Sequence, residues 1–208
     1  MKILLVAATD LEIADSISSF QEFDTDYLVT GVGMVATAYA MGKHLANNKY
    51  DLLLNVGIAG TFNPADEMGS VKRIVSDRIF DLGAETKDGF MPIEELGFGK
   101  SVFQELLPGI SLGQSFESLK KSTAITVNRV HGRNSSIEQL RKTLPLDCLE
   151  SMEGAAFFYV AEEQNCPAIQ VRAISNLVEE RNVSHWDIPK ALQELNSWLQ
   201  GFLRLHRK

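Results

Sequence analysis

The chain has 208 residues, 45% of them hydrophobic and 23% charged, which is enough to bury a full core and describes a soluble, globular protein of one domain spanning 1–208. Its net charge of −7 argues against a nucleic-acid surface, which wants a basic patch, and leaves small anionic substrates open because a site can be locally positive. Cys148 and Cys166 have neither metal nor redox spacing, two cysteines make no disulfide framework, and both read as buried thiols.

The N-terminal run Ile3 to Ala8 is apolar but short, and it meets Asp10 and Glu12 at once. It reads as a first strand covered on both faces, not as a signal peptide. No apolar run approaches the roughly 18–20 residues of a membrane span, so the expectation is a cytoplasmic protein. Thr9 or Asp10 is placed to cap a helix running to about Phe20. A second strand is expected over Tyr27 to Thr30, and Gly31-Val32-Gly33 then turns the chain into a helix from Met34 to about Asn48. A third strand, Asp51 to Val56, ends in Gly57-Ile58-Ala59-Gly60, and Val71 to Phe80 is a fourth. From Asp81 to about Lys121 the pattern weakens into what reads as a long irregular insertion. Strand character returns over Thr123 to Val130, and a short amphipathic helix follows over Ser135 to Leu144. A helix over Met152 to Gln164, a strand over Pro167 to Ser175 and an amphipathic helix over Asp187 to His206 complete the chain. Strands alternating with helices predict an α/β fold in three layers, α/β/α, with a mixed, mostly parallel sheet and a site at the carboxyl ends of its strands.

Several polar groups stand where chemistry would need them. Gly31-Val32-Gly33-Met34-Val35-Ala36 matches G-x-G-x-x-A, but it follows the second strand, and Asp51 lies at the start of the next one. A dinucleotide fold places both features elsewhere, so the segment reads as a tight turn, or as backbone N–H groups approaching a polar ligand. Glu12, taken alone, suits a solvated first helical turn. Glu153 heads an apolar helix and enters a partly buried space, where it either pairs with Arg172 or binds substrate hydroxyls. Arg172 lies within an apolar strand and should have a carboxylate partner either way. Ser175-Asn176 ends that strand as a loop start or as an amide that reads a ligand edge. The four histidines have no metal spacing, and His131 reads as a surface residue in preference to one that lines a pocket. There is no G-x-S-x-G and no P-loop lysine.

Taken together, the N-terminal strand followed by Glu12, Thr30-Gly31-Val32-Gly33, Asn55 to Gly60, Val75-Ser76-Asp77, Ser151 to Ala156 and Val171 to Asn176 resemble, in order and spacing, the nucleoside phosphorylase and nucleosidase superfamily. Within it the chain is most similar to the futalosine hydrolases of the alternative menaquinone pathway, and next to the methylthioadenosine/S-adenosylhomocysteine nucleosidases. The resemblance implies that Glu12 activates the attacking water, with Arg172 nearby. It implies that Met152 and Glu153 form the ribose site, with Glu153 on the 2′- and 3′-hydroxyls, and that Asn176 faces the purine N7. Val130 falls where the family contacts the base, and Gly33 and Ile58 join the implied substrate-binding set. The implied partners are a small-molecule nucleoside and a second copy of the chain, with no cofactor, metal, nucleic acid or membrane.

One departure selects among relatives. Adenine-specific nucleosidases usually carry Asp where this chain has Asn176. A 6-oxopurine edge offers two acceptors, which an acceptor-only carboxylate repels and an amide with two N–H donors suits. Hypoxanthine, the base of futalosine, is such a purine. Arg181, followed by Trp186 as in futalosine hydrolases, stands either to meet the benzoate carboxylate of that substrate or to pair with Glu179 or Asp187. The arginines with which phosphorylases hold phosphate are not recognisable, which makes water the expected nucleophile.

Overall fold

The computed structural model describes residues 1–20, 23–87 and 89–206. Its first strand, β1 (Ile3–Ala7), leads through a single 3-10 turn at Asp10–Glu12 to the short helix α1 (Ile17–Phe20). The expected continuous helix is absent because the Glu12 side chain folds back onto the end of β1 and Ile13 leaves helical conformation, with φ −123°. Strand β2 (Thr25–Val29), helix α2 (Met34–Leu45) and strand β3 (Leu52–Thr61) follow. Strand β3 therefore runs straight through Gly57-Ile58-Ala59-Gly60 rather than ending before it.

Strand β4 (Val71–Ile79) opens the segment expected to be irregular. That segment holds a hairpin of β5 (Gly83–Thr86) and β6 (Gly89–Pro92), a strand β7 (Val102–Gln104) on the flank of β4, and a short helix α3 (Gln114–Glu117). Asp88 of this stretch lies outside the described residues. Strand β8 (Lys120–Thr126), helix α4 (Asn134–Thr143), strand β9 (Leu149–Ser151), helix α5 (Gly154–Glu163), strand β10 (Ala168–Leu177) and helix α6 (Ile188–Leu205) complete the chain.

Among the described residues, eight strands form one mixed sheet in the order β10-β4-β8-β9-β3-β1-β2, with β7 on β4. β10 also pairs with β3, so β3, β9, β8, β4 and β10 close into a ring. Pairings of β1 with β2 and β3, of β3 with β10, and of β8 with β4 and β9 are parallel, as the continuous apolar runs require. Side-chain alternation then sorts the core. Ile3, Leu5, Leu52, Leu54, Ile169 and Val171 pack with Leu195, Leu199 and Phe202 of α6. Leu4, Val6, Leu53, Ala59 and Ile174 pack with α2 and α5 on the other face. Among the described residues no helix is long and apolar enough to cross a membrane. Both thiols are free; Cys148 is buried and burial pushes it up to about 12, whereas Cys166 is only half-buried.

Candidate active site

Alternation places Asn55 and Gly57 of β3 and Gln170 and Arg172 of β10 on the α2/α5 side of the sheet, because their neighbours in sequence pack under α6. Arg172 is almost fully buried. Its Nη2 donates to Asn55 Oδ1 and its Nη1 to the Val171 carbonyl at 3.3 Å, while Nε has no partner. Asn55 Nδ2 in turn donates to the Val6 carbonyl at 2.9 Å. Contrary to the expectation of a carboxylate partner, Arg172 makes no ion pair among the described residues. Instead, the charges of Glu153, Glu12 and Asp77 surround it and offset a burial that lowers its pKa.

Glu12 approaches from the turn after β1. Its Oε2 accepts from the N–H groups of Ala8 and Thr9, both at 3.0 Å, and its Oε1 from Ile58 N–H at 3.2 Å. Asn196 on α6 donates to the Glu12 carbonyl at 3.0 Å and holds the turn from behind. Burial raises the Glu12 pKa above its ordinary value, against the lowering effects of Arg172 and of these N–H donors. Glu12 and Arg172 face each other over Gly57. A Cβ on Gly57 would lie 2.6 Å from Glu12 Oε1 and 3.4 Å from Arg172 Nη1. The two charged groups are thus within one bridging water of each other without touching.

Glu153 caps the head of α5, beside this gap. Its Oε1 accepts from Gly33 N–H at 2.8 Å and its Oε2 from Met152 N–H at 3.2 Å. The Gly31–Gly33 turn, with φ +84° at Gly31 and +100° at Gly33, therefore presents an N–H to an internal carboxylate. Only glycine adopts such angles freely, which accounts for the G-x-G pattern without a dinucleotide. Asp51 confirms the point, since it accepts from Lys2 N–H at 2.7 Å at the opposite ends of the strands.

Asn176 follows a β-bulge at Ile174/Asn176, which re-aims the end of β10 toward Gly60. Its Nδ2 donates to the Leu177 carbonyl at 3.0 Å and its Oδ1 accepts from Ser175 Oγ at 2.9 Å. A Cβ on Gly60 would lie 3.1 Å from Asn176 Nδ2. Met152 and Ile58 are half-buried beside Glu153 and Glu12. Val130 is more exposed, in the loop after β8, and hydrogen bonds tie it to none of the others. His131, next to it, is not a surface residue: its N–H donates to Glu150 Oε1 at 3.0 Å and its Nδ1 bonds the buried Glu150 Oε2. Arg181 stacks over Trp186 at 5.3 Å and pairs with neither Glu179 nor Asp187. Glu179 is taken by His185 and Asp187 caps α6.

Residues 27–204 match the family model described as Phosphorylase superfamily. The chain belongs to the phosphorylase superfamily. It is 34% identical over 177 residues to the futalosine hydrolase of Streptomyces coelicolor, a match covering 82% of this chain and 74% of that one. Among solved structures, the futalosine hydrolase of Helicobacter pylori superposes with a TM-score of 0.80 at 15% identity, covering 99% of this chain and 98% of that one. The 5′-methylthioadenosine/S-adenosylhomocysteine nucleosidase of Helicobacter pylori, solved with butyl-thio-DADMe-Immucillin-A, gives 0.82 at 16% identity with the same coverage. At such identities the two structures speak for the phosphorylase-superfamily fold alone.

In this member of the superfamily, sequence reasoning gave no role of their own to Asn55 and Gly57, although both lie in a segment that carries the resemblance, or to Glu150 and Asn196. Asn55 carried a usable signal, since a lone amide inside the apolar run Leu52 to Val56 must find buried partners. Asn196 carried none, because its contact with Glu12 spans 184 positions.

Proposed function

We propose that the chain is a nucleosidase that hydrolyses the N-ribosidic bond of futalosine, releasing hypoxanthine and dehypoxanthine futalosine in menaquinone biosynthesis. The observation that carries this reading is the gap over Gly57, where the half-buried Glu12 carboxylate and the buried Arg172 guanidinium face each other without forming an ion pair. The 34% identity to a futalosine hydrolase supports the substrate.

In this reading a water sits between Glu12 and Arg172. Glu12, ionised, takes the proton from that water as it attacks the anomeric carbon through an oxocarbenium-like transition state. Each oxygen of Glu153 already accepts one N–H and keeps a further lone pair. It grips the ribose 2′- and 3′-hydroxyls, and its charge favours positive charge on the ring. Gly33 holds Glu153, while Met152, Ile58 and Val130 line the nucleoside. Asn176 donates to the departing base; an amide delivers no full proton, so electrostatic preorganisation carries the leaving step. Arg181 stands to meet the acidic 5′ substituent. The domain is taken as the whole of 1–208, acting in the cytoplasm without a cofactor.

Base release should be measured with futalosine, inosine and methylthioadenosine, with and without phosphate. Hypoxanthine from futalosine without phosphate is expected. Adenine from methylthioadenosine would favour the related nucleosidase instead, a phosphate requirement would identify a phosphorylase, and no release at all would leave a nucleoside-binding module. Asn176→Asp is expected to move the ratio of kcat/KM toward adenine nucleosides by about 10–100-fold, because the amide donors facing O6 become acceptors. An unchanged ratio would remove Asn176 from base reading.

A homodimer belongs to the same proposal. Leu11, Val32, Val35 and Tyr39 are exposed on the turn and helix that flank Glu12 and Gly33. Val35 is 81% exposed and Tyr39, one helical turn on, 70%. A second copy covering this apolar face would also close the site. Val35→Asp is expected to yield monomers in sedimentation with reduced turnover; a wild-type chain that is monomeric at micromolar concentration counts against it.

A further inference from the structure

Beneath the first turn of α5 lies a carboxylate that the mechanism above leaves unused. Asp77, late in β4, is completely buried. Its Oδ1 accepts from Thr126 Oγ1 at 2.8 Å and its Oδ2 from Gln170 Nε2 at 3.1 Å. The Thr126 hydroxyl is itself the acceptor for Ala155 N–H, at 2.8 Å. Gly154 supplies the room, since a Cβ there would stand 2.1 Å from Asp77 Oδ2. One carboxylate thus joins β4, β8, β10 and α5. Two of these elements carry groups of the proposed site: Glu153 directly precedes Gly154, and Arg172 lies two residues beyond Gln170 on the same face of β10.

A fold needing only stability has little use for a buried charge here, because apolar packing serves as well. Burial pushes the Asp77 carboxyl up to about 6, against the lowering effect of the bonds from Thr126 and Gln170, and both of its oxygens accept, as those of an ionised carboxylate do. Gln170 Oε1 is left without a partner by this arrangement.

We propose that Asp77 is a positioning residue for the proposed nucleosidase reaction: through Thr126 and Ala155 it fixes the head of α5 so that Glu153 stays on Gly33 N–H, and through Gln170 it anchors the strand that carries Arg172. The proposal rests on the nucleosidase reading for its consequence, not for its geometry.

Three variants test it. Asp77→Asn keeps the size but turns two charge-assisted bonds into neutral, weaker ones, and a Gln170 amide rotated so that its oxygen accepts from the new N–H leaves Nε2 unpartnered instead. Thr126→Val cuts the link to Ala155 with the charge intact, and Thr126→Ser restores the hydroxyl. The first readout needs no substrate: hydrogen exchange at Gly33 N–H, which Glu153 protects. Thr126→Val and Asp77→Asn are expected to speed it by about tenfold, with Thr126→Ser like wild type. The second is base release. Asp77→Asn is expected to lose about 10–100-fold in kcat/KM, and that loss should shrink in a Glu153→Gln background to the part that passes through Arg172, because residues acting through one another are not additive. Unchanged Gly33 exchange in both variants, or losses that simply add to that of Glu153→Gln, would overturn the proposal. A wild-type protein that releases no base from any nucleoside would sink the nucleosidase reading alone, and Gly33 exchange would still decide the role of Asp77.

Discussion

Glu12→Gln is expected to lower kcat by about 10³–10⁴-fold while the Kd for substrate changes by no more than a few-fold. The substitution keeps the side-chain length and can keep contacts to the turn, but an amide takes no proton from water. The pH profile should carry the same signature. The base works only when ionised, and burial raises the Glu12 pKa. The acid limb of kcat/KM in the wild type should therefore fall at a higher pH than an ordinary glutamate would set, and it should be missing from the residual activity of the variant. Single-turnover base release with calorimetric binding separates the two quantities. Near-normal turnover by Glu12→Gln would end the assignment.

Gly57→Ala is expected to cost about 10²–10³-fold in kcat, although it adds only one methyl group in a strand. The new Cβ would lie 2.6 Å from Glu12 Oε1, well inside van der Waals contact, and 3.4 Å from Arg172 Nη1. It would fill the space between the two charges and push Glu12 off Ile58 N–H. The damage should fall on activity more than on folding, because the atom that must move is the end of a side chain. Steady-state rates alongside thermal melts check this. A variant with wild-type rate would show that nothing reactive occupies the gap, and one that fails to melt cooperatively would assign Gly57 to packing.

The two glycines of β3 show why a local reading misplaced the end of that strand. Gly57-Ile58-Ala59-Gly60 looks like a turn because glycine weakens strands. The strand continues because parallel pairing with β10 runs through it, Arg172 opposite Gly57 and Asn176 opposite Gly60. Bare backbone is needed there for approach by side chains from other elements, Glu12 at Gly57 and Asn176 with Val178 at Gly60. The stretch after Asp81 was misread for a related reason. Its strands are three or four residues long, too short to display alternation, and β7 exists because β4 offers it a partner. β9 was overlooked likewise, although its three residues close the ring between β3 and β8.

By itself the sequence determined the α/β class and the mostly parallel strands and marked Glu153 and Arg172 as buried polar groups in need of partners, whereas Glu12 and Asn176 stood out only through the resemblance to a family. Apolar runs, cap residues and a polar side chain inside a buried strand are local features, legible within about ten residues. The tertiary structure alone decided which of these groups pair and which stay free. Glu153 satisfies itself on Gly33 and Met152 N–H groups, Arg172 turns to Asn55, and Glu12 faces Arg172 across Gly57 without pairing with it. Gly33 lies 120 positions from Glu153 and Asn55 117 from Arg172, and a choice of such distant partners is made by the closed sheet that brings them together, not by any local pattern.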